Sequence, residues 1–379
     1  MEFRDLKKQY QALKKDIGTS VQEVMQNANF ISGNQVTELE EELAEYVGGK
    51  HCITCANGTD ALQLALMAWG IGEGDAVFVP DFTFFSSAEV IAAVGATPVF
   101  VDVEEDTFNI SPQSLENAIY QVAEEGRWIP KVVIAVDLFG LPANYPEIRE
   151  LADRYQLKVL EDGAHGFGGS IHGKKACSFG DISTTSFFPA KPLGCYGDGG
   201  AVFTDDDEIA KILLSLRIHG KGEDKYDNIR IGMNSRLDTI QAAILQVKLR
   251  AFAEHELLEV NKAAKNYQEL LADINCKVPK VPEDYLSSWA QYTILLPDEK
   301  TRDMVQMKLK EQGIPSMIYY KKAMHEQAVF QGVSQYTELK TSSDLCTRVL
   351  CLPIHPYLEM EEQKKVCDMI RKLVWEELF

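Results

Sequence analysis

The chain has 379 residues, of which 45% are hydrophobic and 25% are charged, so it can bury a large core in more than one domain. Its 57 acidic residues exceed its 38 basic residues, and the formal net charge of −19 argues against binding to nucleic acid or to an anionic membrane surface. Eight cysteines are too few for a disulfide scaffold, and a charged N-terminus without an apolar run of ~20 residues argues against a signal peptide or spanning helix, so we expect a cytoplasmic protein.

Short β-branched runs alternate with helical stretches in the first half of the chain, a pattern typical of an α/β fold with a mostly parallel sheet. The first predicted helix runs from near Asn34 to Val47 and is ended by two glycines. The predicted strands after it are His51–Cys55, Ala76–Val79, Thr97–Val101, Val132–Val136 and Lys158–Leu160. Helices are predicted between them, at about Thr59–Trp69, Ser86–Val94 and Tyr145–Tyr155.

The pattern changes in the second half of the chain. Residues 182–204 predict strands joined by glycine-rich turns, and helices are predicted at Asp207–Leu216, at Ser235–Phe252 and then on to about Leu271. The last hundred residues predict a smaller α+β domain, with a strand at Gln291–Leu295 and helices at Arg302–Gln312 and Glu361–Glu377. We therefore predict a large domain over residues 1–252, including an N-terminal arm, and a small C-terminal domain over residues 253–379.

The first candidate site segment is Ala56–Asp60, where a predicted strand ends and a helix begins. At such a junction Gly58 and Thr59 present unpaired backbone N–H groups and a positive helix dipole, which a phosphate group requires. An ordinary helix N-cap by Asn57, Thr59 or Asp60 explains the same residues. No lysine follows the glycine as in a nucleoside-triphosphate loop, and no GxGxxG follows a strand, which disfavours those nucleotide sites.

The second candidate segment contains Glu161 and Asp162, which end an apolar strand at the sheet edge where open α/β sheets bind ligands. A buried aspartate there needs a cation or hydrogen-bond donors, and a protonated pyridine nitrogen would supply one. A carboxylate that caps the next loop is the ordinary alternative. Asp162 and His165 could also bind a metal, but no third ligand stands at a suitable spacing, so we expect no metal site.

The third candidate is Lys191, which lies between Pro189 and Pro192 in a stretch with no other charge until Asp198. Most lysines lie on solvated surfaces, so this apolar setting is unusual. Partial desolvation lowers the pKa of an amine and makes it a competent nucleophile for a Schiff base. The glycines that follow allow the backbone to approach a bulky cofactor.

Together the three segments supply an anion cup, a carboxylate for a ring nitrogen and a Schiff-base lysine, which are the protein groups that pyridoxal phosphate requires. An aromatic ring over the cofactor is also useful, and Phe84 is a candidate, although a core aromatic at a strand–helix junction explains it equally well. Cys52 and Cys55 invite a redox or zinc interpretation. They lie in a predicted strand without a second CxxC pair, so we expect neither role.

The sequence resembles the DegT/DnrJ/EryC1/StrS family of sugar aminotransferases over nearly its whole length. The motifs that carry the resemblance are Asn57–Leu62, Glu161–His165, the spacing of Ser186 and Lys191, and Asn234–Ala243. The resemblance implies the aspartate-aminotransferase-like fold (PLP fold type I) and pyridoxal 5'-phosphate as the cofactor.

The resemblance also implies roles for individual residues. The cofactor-binding set that it implies is Gly58, Thr59, Phe84, Asp162, His165, Ser186, Lys191 and Asn234. Lys191 and Asp162 would be the catalytic residues, with Asp162 at the ring nitrogen and Phe84 stacked on the ring. Asn234 would reach the phosphate of a neighbouring subunit's cofactor, which implies a homodimer with active sites at the interface.

Arg236, Tyr319 and Tyr320 are the residues that the resemblance implies in substrate binding. Arg236 would suit a sugar carboxylate or a pyrophosphate, because its planar fork binds such groups bidentately. A structural ion pair with Asp238 is the alternative. Tyr319 and Tyr320 stand where many relatives have His-Tyr-Pro near the sugar, a departure that leaves the sugar contacts at this point undefined.

Residues 186–200 and 52–58 are most similar to members that aminate the 3-keto group of UDP-linked N-acetyl hexuluronic acids for surface polysaccharides. The resemblance thus implies transfer of an amino group from L-glutamate to a nucleotide-linked keto sugar. A 4-keto-6-deoxy sugar aminotransferase is one alternative, and a non-catalytic PLP-binding regulator or partner subunit is another. Lys191 and Asp162 argue against the latter, and Lys191 argues against the family's 3-dehydrases, which have His at this position.

Overall fold

The computed structural model describes residues 1–224 and 226–376. The strands in them are β1 (His51–Cys55), β2 (Asp75–Pro80), β3 (Thr97–Val101), β4 (Ile129–Val136), β5 (Lys158–Asp162), β6 (Ser170–Ile171), β7 (Lys174–Lys175), β8 (Ile182–Ser186), β9 (Gly200–Thr204), β10 (Tyr285–Leu286), β11 (Tyr292–Leu295) and β12 (Val349–Leu352). The α-helices are α1 (Leu6–Asn27), α2 (Asn34–Val47), α3 (Gly58–Ala68), α4 (Phe85–Ala93), α5 (Pro112–Glu125), α6 (Tyr145–Tyr155), α7 (Asp207–Leu216), α8 (Thr239–Ala251), α9 (Leu257–Leu271), α10 (Glu299–Glu311), α11 (Lys340–Arg348) and α12 (Met360–Glu376). Within the described residues no helix combines the length and the apolarity that crossing a membrane requires.

Seven strands form the central sheet, in the order β1-β9-β8-β5-β4-β2-β3. Neighbouring strands are parallel except at β9, which runs antiparallel to both β1 and β8. The strands are buried along most of their length, as expected when helical crossovers cover both faces of a parallel sheet. The predicted α/β fold with a mostly parallel sheet is confirmed, and its six parallel strands end at one common edge.

Most of the predicted elements are present with small shifts in their boundaries. Helix α8 begins at Thr239 rather than Ser235, and a π-helical turn over Phe252–Glu256 separates it from α9. Helix α10 begins three residues before the predicted Arg302, because Asp298 caps it by accepting a hydrogen bond from the backbone of Thr301 at 2.8 Å. The predicted terminal helix is α12, and residue 377 of that prediction lies outside the described residues.

The 22-residue helix α1 is the main element that the sequence patterns did not predict. Asp5 caps it by accepting a hydrogen bond from Lys8 N at 2.8 Å. Its apolar face is narrow: Leu13 and Ile17 pack against α8, on residues that include Ile244 and Val247. The N-terminal arm is therefore mainly a helix that lies against the main domain.

The C-terminal part has a core of its own and also packs on the main sheet. The antiparallel pair β11–β12 and the helices α9, α10 and α12 enclose a cluster that contains Tyr267 and Tyr292. A larger cluster under the main sheet includes Leu345, Val349 and Cys351 from the C-terminal part. The division of the chain into domains after residue 252 stays a prediction.

Candidate active site

Asp162 is the last residue of β5, and its side chain is 5% exposed. Its Oδ2 accepts a hydrogen bond from Ser87 Oγ at 2.7 Å, and its Oδ1 accepts one from Ala164 N at 3.2 Å. Burial raises the pKa of this carboxyl group, against the opposing effects of Ser87, Ala164 and Lys191. Because a carboxylate can accept about four hydrogen bonds, Asp162 keeps capacity for a further donor.

Lys191 lies on the loop of residues 187–199 that joins β8 to β9. The ends of this loop are joined by a hydrogen bond from Phe187 N to Gly199 O at 2.7 Å, and Cys195 N donates to Phe187 O at 2.8 Å. The Lys191 N–H itself donates to Phe188 O at 2.9 Å. The two antiparallel strands thus hold the loop at the sheet edge where Asp162 ends β5.

The charges of Lys191 and Asp162 are coupled although the two groups do not touch. Burial lowers the pKa of the Lys191 amine to about 8, while the charge of Asp162 raises it and the charge of Arg4 lowers it. Within the part of the chain that the structure describes, the two groups form no ion pair within 4.0 Å. A fraction of the Lys191 amine is therefore neutral near pH 7, and the neutral form is the nucleophile. Because Lys191 and Asp162 are not in contact, a ligand could lie between them.

His165 follows the same strand end and is 6% exposed. Its Nδ1 accepts a hydrogen bond from Phe139 N at 3.2 Å, so the ring proton is on Nε2. Burial lowers the pKa of the imidazole well below its usual value, and the charges of Lys191 and Arg4 lower it further. The ring is therefore a neutral hydrogen-bond donor at neutral pH.

Gly58 and Thr59 open helix α3, for which Asn57 is the N-cap. Thr59 Oγ1 and Ser86 Oγ lie 2.7 Å apart and share a hydrogen bond. A Cβ on Gly58 would lie 2.7 Å from the Cβ of Ser186, so only glycine allows β8 to approach the helix start this closely. The N-cap and the anion cup therefore coexist, with three hydroxyl groups gathered around the first turn of α3.

Aromatic rings form the other wall of this region. Phe84 precedes α4 and is 54% exposed, and its ring centroid lies 6.3 Å from that of Tyr320. The hydroxyl group of Tyr320 has a pKa raised well above its usual value by burial, and the charge of Asp162 contributes to the increase. Tyr319 packs edge to face on Phe3 at 6.4 Å. Phe84 is thus largely exposed beside Tyr320, and Tyr320 lies within the electrostatic reach of Asp162.

Asn234 and Arg236 lie apart from this group. Asn234 is exposed and forms one isolated bridge with Ile218. Arg236 is partly buried, and the ion pair with Asp238 that was the alternative for it is not formed among the described residues. No hydrogen bond or ion pair in the described chain links Asn234 or Arg236 to Lys191.

Glu161 precedes Asp162 on β5, and its side chain therefore points away from that of Asp162. Its Oε2 accepts hydrogen bonds from Phe179 N and Ser183 Oγ, each at 2.7 Å, and its Oε1 accepts one from Cys177 N at 2.5 Å. These donors make Glu161 a structural residue. Among the described residues, no group of three or more His, Cys, Asp or Glu side chains could hold a metal ion.

Cys52 and Cys55 are buried on β1, and all eight cysteines of the chain are free thiols. Burial raises the pKa of Cys52 well above its usual value and that of Cys55 to about 12. Both thiols therefore stay protonated and unreactive at neutral pH.

Three residues of the site were missed by the reasoning from sequence. Ser86 and Ser87 carry a weak signal, because they are consecutive hydroxyl groups at the start of the helix after β2. Arg4 carries none: its Nη2 donates to Pro192 O at 3.2 Å, a contact between residues 188 positions apart.

The groups at this edge fit pyridoxal phosphate. The carboxylate of Asp162 is buried and can accept further hydrogen bonds, and it acts on the partly neutral amine of Lys191. The start of α3, lined by hydroxyl groups, lies at the same edge of the sheet. This site on a mostly parallel seven-stranded sheet defines an enzyme of PLP fold type I.

The chain belongs to the DegT/DnrJ/EryC1/StrS aminotransferase family, whose profile matches residues 11–371. It is 42% identical over 367 residues to the UDP-2-acetamido-2-deoxy-3-oxo-D-glucuronate aminotransferase of Pseudomonas aeruginosa, with 97% of this chain and 98% of the relative covered. It is 40% identical over 368 residues to the UDP-N-acetyl-3-dehydro-alpha-D-glucosamine 3-aminotransferase of Acidithiobacillus ferrooxidans, with 97% and 96% covered. A crystal structure of a family member from Brucella abortus matches with a TM-score of 0.96 and 47% identity, covering 99% of both chains. The chain is therefore an aminotransferase, and its cofactor is pyridoxal phosphate.

Proposed function

We propose that this aminotransferase transfers an amino group from L-glutamate to the 3-keto group of a UDP-linked N-acetyl hexuluronic acid, for the synthesis of a surface polysaccharide. The P. aeruginosa and A. ferrooxidans relatives support the nucleotide and the ring position, since both are named for a UDP-linked sugar oxidised at carbon 3. The P. aeruginosa relative, named for a glucuronate, supports the acidic sugar.

The observation that carries the proposal is the arrangement of Lys191 and Asp162. A partly neutral amine lies in the field of a buried carboxylate that it does not contact, and that carboxylate has unused acceptor capacity. This is the arrangement that transamination requires on the two sides of a pyridine ring. A binding protein that only sequestered the cofactor would have no use for a lysine of lowered pKa.

Each residue then has a distinct role. Bound pyridoxal phosphate supplies an electron sink for the electrons that are released when a proton leaves the substrate carbon. Lys191 would attach the cofactor covalently and, once displaced by the amino donor, would move that proton as a general base. Asp162 would keep the ring nitrogen protonated, and His165 would donate a hydrogen bond from its Nε2.

The remaining residues of the set would hold and orient the cofactor. The helix start at Gly58, with the hydroxyl groups of Thr59 and Ser186, would bind the phosphate, and Ser86 adds a hydroxyl to this cup. Phe84 would pack its exposed face on the ring. Each of these interactions restricts the cofactor and excludes water without taking part in proton transfer.

We further propose that the working unit is a homodimer in the cytoplasm. Asn234 is exposed, Ile229 is 57% exposed, and Ile231, which is 88% exposed, lines a groove with residues that include Met67 and Trp69. Exposed apolar surface of this kind marks an interface, and a second copy would bring Asn234 and Arg236 to a site. The eight free thiols favour a reducing compartment.

A two-stage spectroscopic experiment tests the function. L-glutamate added to the purified holoenzyme should change the absorbance of the bound cofactor, and a UDP-linked 3-keto hexuluronate added afterwards should reverse the change. Faster reversal by a 4-keto-6-deoxy sugar nucleotide would favour that alternative activity. A holoenzyme that shows no change with glutamate would contradict the proposal and favour the non-catalytic alternative.

A further inference from the structure

The N-terminal segment crosses the edge of the site between the lysine loop and the C-terminal part. Arg4 Nη2 donates to the carbonyl of Pro192, the residue after Lys191, at 3.2 Å. The carbonyl of the preceding residue, Phe3, accepts a hydrogen bond from Ile354 N at 3.3 Å. Arg4 is therefore fixed next to the lysine loop by contacts on both sides, although it lies far from it in sequence.

The guanidinium of Arg4 forms no ion pair among the described residues. Its charge lowers the pKa of Lys191, of His165 and of His355, so all three are its neighbours. Among the described residues, no carboxylate lies within 4.0 Å of it, and its side chain forms a single hydrogen bond, the one to Pro192. An arginine has five N–H donors, so most of its hydrogen-bonding capacity is unused.

The charge of Glu256 raises the pKa of Arg4, but the carboxylate of Glu256 forms its hydrogen bonds with other residues. It accepts hydrogen bonds from Gln9 Nε2 at 3.0 Å and from Tyr357 Oη at 2.7 Å. Glu256 also stabilises the buried ammonium group of Lys248, whose pKa burial lowers to about 8. Arg4 and Lys248 thus share the charge of Glu256, and no carboxylate in the described chain is left to pair with Arg4 alone.

A second unsatisfied polar group lies beside Arg4. His355 is 2% exposed, and its Nδ1 has no hydrogen-bond partner in the part of the chain that the structure describes. The hydrogen bond between Ile354 and Phe3 places His355 next to Arg4. Buried polar atoms are nearly always paired, so an unpaired one beside a guanidinium with unused donors indicates that a ligand completes both.

We infer that Arg4, with His355 beside it, binds a carboxylate group of a substrate next to Lys191. The inference rests on the proposed function, since both proposed substrates carry carboxylates: the amino donor has two, and the hexuluronic acid has one on its sugar ring. A guanidinium binds a carboxylate through two parallel hydrogen bonds, which fixes orientation as well as adding affinity. Arg4 is then a specificity-determining residue that faces the reacting amine.

Calorimetric titration of the holoenzyme with inert probes tests this inference. Glutarate represents the carboxylates of the amino donor, and UDP-glucuronate represents the acidic sugar, with UDP-glucose as its neutral counterpart. In an Arg4→Gln variant the dissociation constant for the relevant carboxylate probe should rise by about 10- to 100-fold, as expected for loss of a charged bidentate contact. An Arg4→Lys variant should recover part of the loss, because it keeps the charge without the fork.

The two probes identify the source of the carboxylate. A loss confined to glutarate assigns Arg4 to the amino donor, and a loss confined to UDP-glucuronate assigns it to the sugar. Lys7→Gln is the matched control: it removes one positive charge three residues away from a side chain that is 88% exposed, and it should leave all three dissociation constants unchanged.

Three results would overturn the inference. The first is a set of dissociation constants that change by less than about twofold in Arg4→Gln. The second is an equal loss of affinity for UDP-glucose, which would show a structural role, and the third is a wild-type enzyme that binds neither acidic probe. Failure of the proposed function is a separate outcome, because the response of wild-type holoenzyme to glutamate does not depend on any variant. An enzyme that binds an acidic probe through Arg4 but does not respond to glutamate would keep the carboxylate site and lose the aminotransferase activity.

Discussion

The two faces of strand β5 carry neighbouring carboxylates that have opposite surroundings. On one face Glu161 is fully buried and accepts hydrogen bonds from three backbone N–H groups, at 2.5, 2.7 and 3.3 Å, and from Ser183 Oγ at 2.7 Å. On the other face Asp162 accepts from Ser87 Oγ and from one backbone N–H at 3.2 Å. Both carboxylates are buried, so burial does not distinguish them.

The number of donors that the protein supplies does distinguish the two faces. A carboxylate whose acceptor sites are filled by the fold stabilises the fold, and one with sites left open is prepared for a ligand. The same contrast holds for cations: among the described residues Lys191 forms no ion pair, whereas Arg217 is paired with Glu40. We expect substitutions on the Glu161 face to change stability and substitutions on the Asp162 face to change chemistry.

The largest effect should come from Lys191→Ala. We expect the rate of the cofactor's absorbance change with L-glutamate to fall by at least ~10³-fold, because both the nucleophile and the proton-transfer group are lost. Lys248→Met is a matched control, since Lys248 is also buried and its pKa is also about 8. The control should lower the melting temperature and keep the reaction, and a Lys191 variant with a tenth of the wild-type rate would contradict the assignment.

Asp162→Asn should have the next largest effect on chemistry. An amide cannot balance a protonated ring nitrogen, so we expect kcat to fall by about 10²–10³-fold. Removal of an incompletely paired buried charge should leave the free energy of unfolding unchanged or raise it slightly. Rapid-mixing kinetics measure kcat, and thermal unfolding of the same preparation measures stability. A strongly destabilised variant would contradict the distinction between the Asp162 face and the Glu161 face.

Glu161→Gln should produce the converse result. Whichever way the amide is oriented, its NH₂ group faces backbone N–H donors or Ser183 Oγ, so at least one buried donor loses its acceptor. We expect a loss of about 2–4 kcal/mol in the free energy of unfolding, measured by denaturant titration. The folded fraction should still react with glutamate at close to the wild-type rate, and a slowed reaction would show that Glu161 also serves the site.

The serines on the two faces allow a smaller, matched comparison. Ser87→Ala removes one of the two hydrogen bonds to Asp162 and should slow the glutamate reaction by about 3- to 10-fold with little change in stability. Ser183→Ala removes one hydrogen bond to Glu161 and should lower the free energy of unfolding by about 1–2 kcal/mol with an unchanged rate. Equal effects of the two variants on the rate would contradict the distinction.

The smallest effect concerns pH. Because the pKa of Lys191 is lowered to about 8, uptake of pyridoxal phosphate by the apoprotein should speed up from pH 6 to about pH 8 and then level off. Arg4→Gln removes a charge that lowers this pKa, so the midpoint should move upward by less than about one unit. Stopped-flow absorbance measures both midpoints, and a wild-type midpoint near the usual lysine value would show that the amine is solvated.

The sequence predicted the strands of the central sheet and the site residues that stand near their ends. Lys191, Asp162, His165 and the Gly58–Thr59 junction stand at or next to strand ends, and parallel strands bring such ends to one edge. Their roles stay proposals, although the structure places them at one edge of the sheet.

Features that depend on packing between distant residues were not predictable. Helix α1 is charged, contains Gly18 in its interior and buries only a narrow face, so its local sequence favours a helix weakly and packing on α8 stabilises it. The approach of Arg4 to Pro192 and of Ser87 to Asp162 depends on the complete fold. No local pattern contains that information.

The single antiparallel strand β9 has a consequence for turnover. Since β8 and β9 are hydrogen-bonded neighbours, the loop between them is a short tether with both ends fixed. In the proposed mechanism the Lys191 amine on this tether would stay at high effective concentration after it releases the cofactor, because folding has already met most of the entropy cost of bringing it back. Recapture at the end of each catalytic cycle should therefore need only a side-chain rotation.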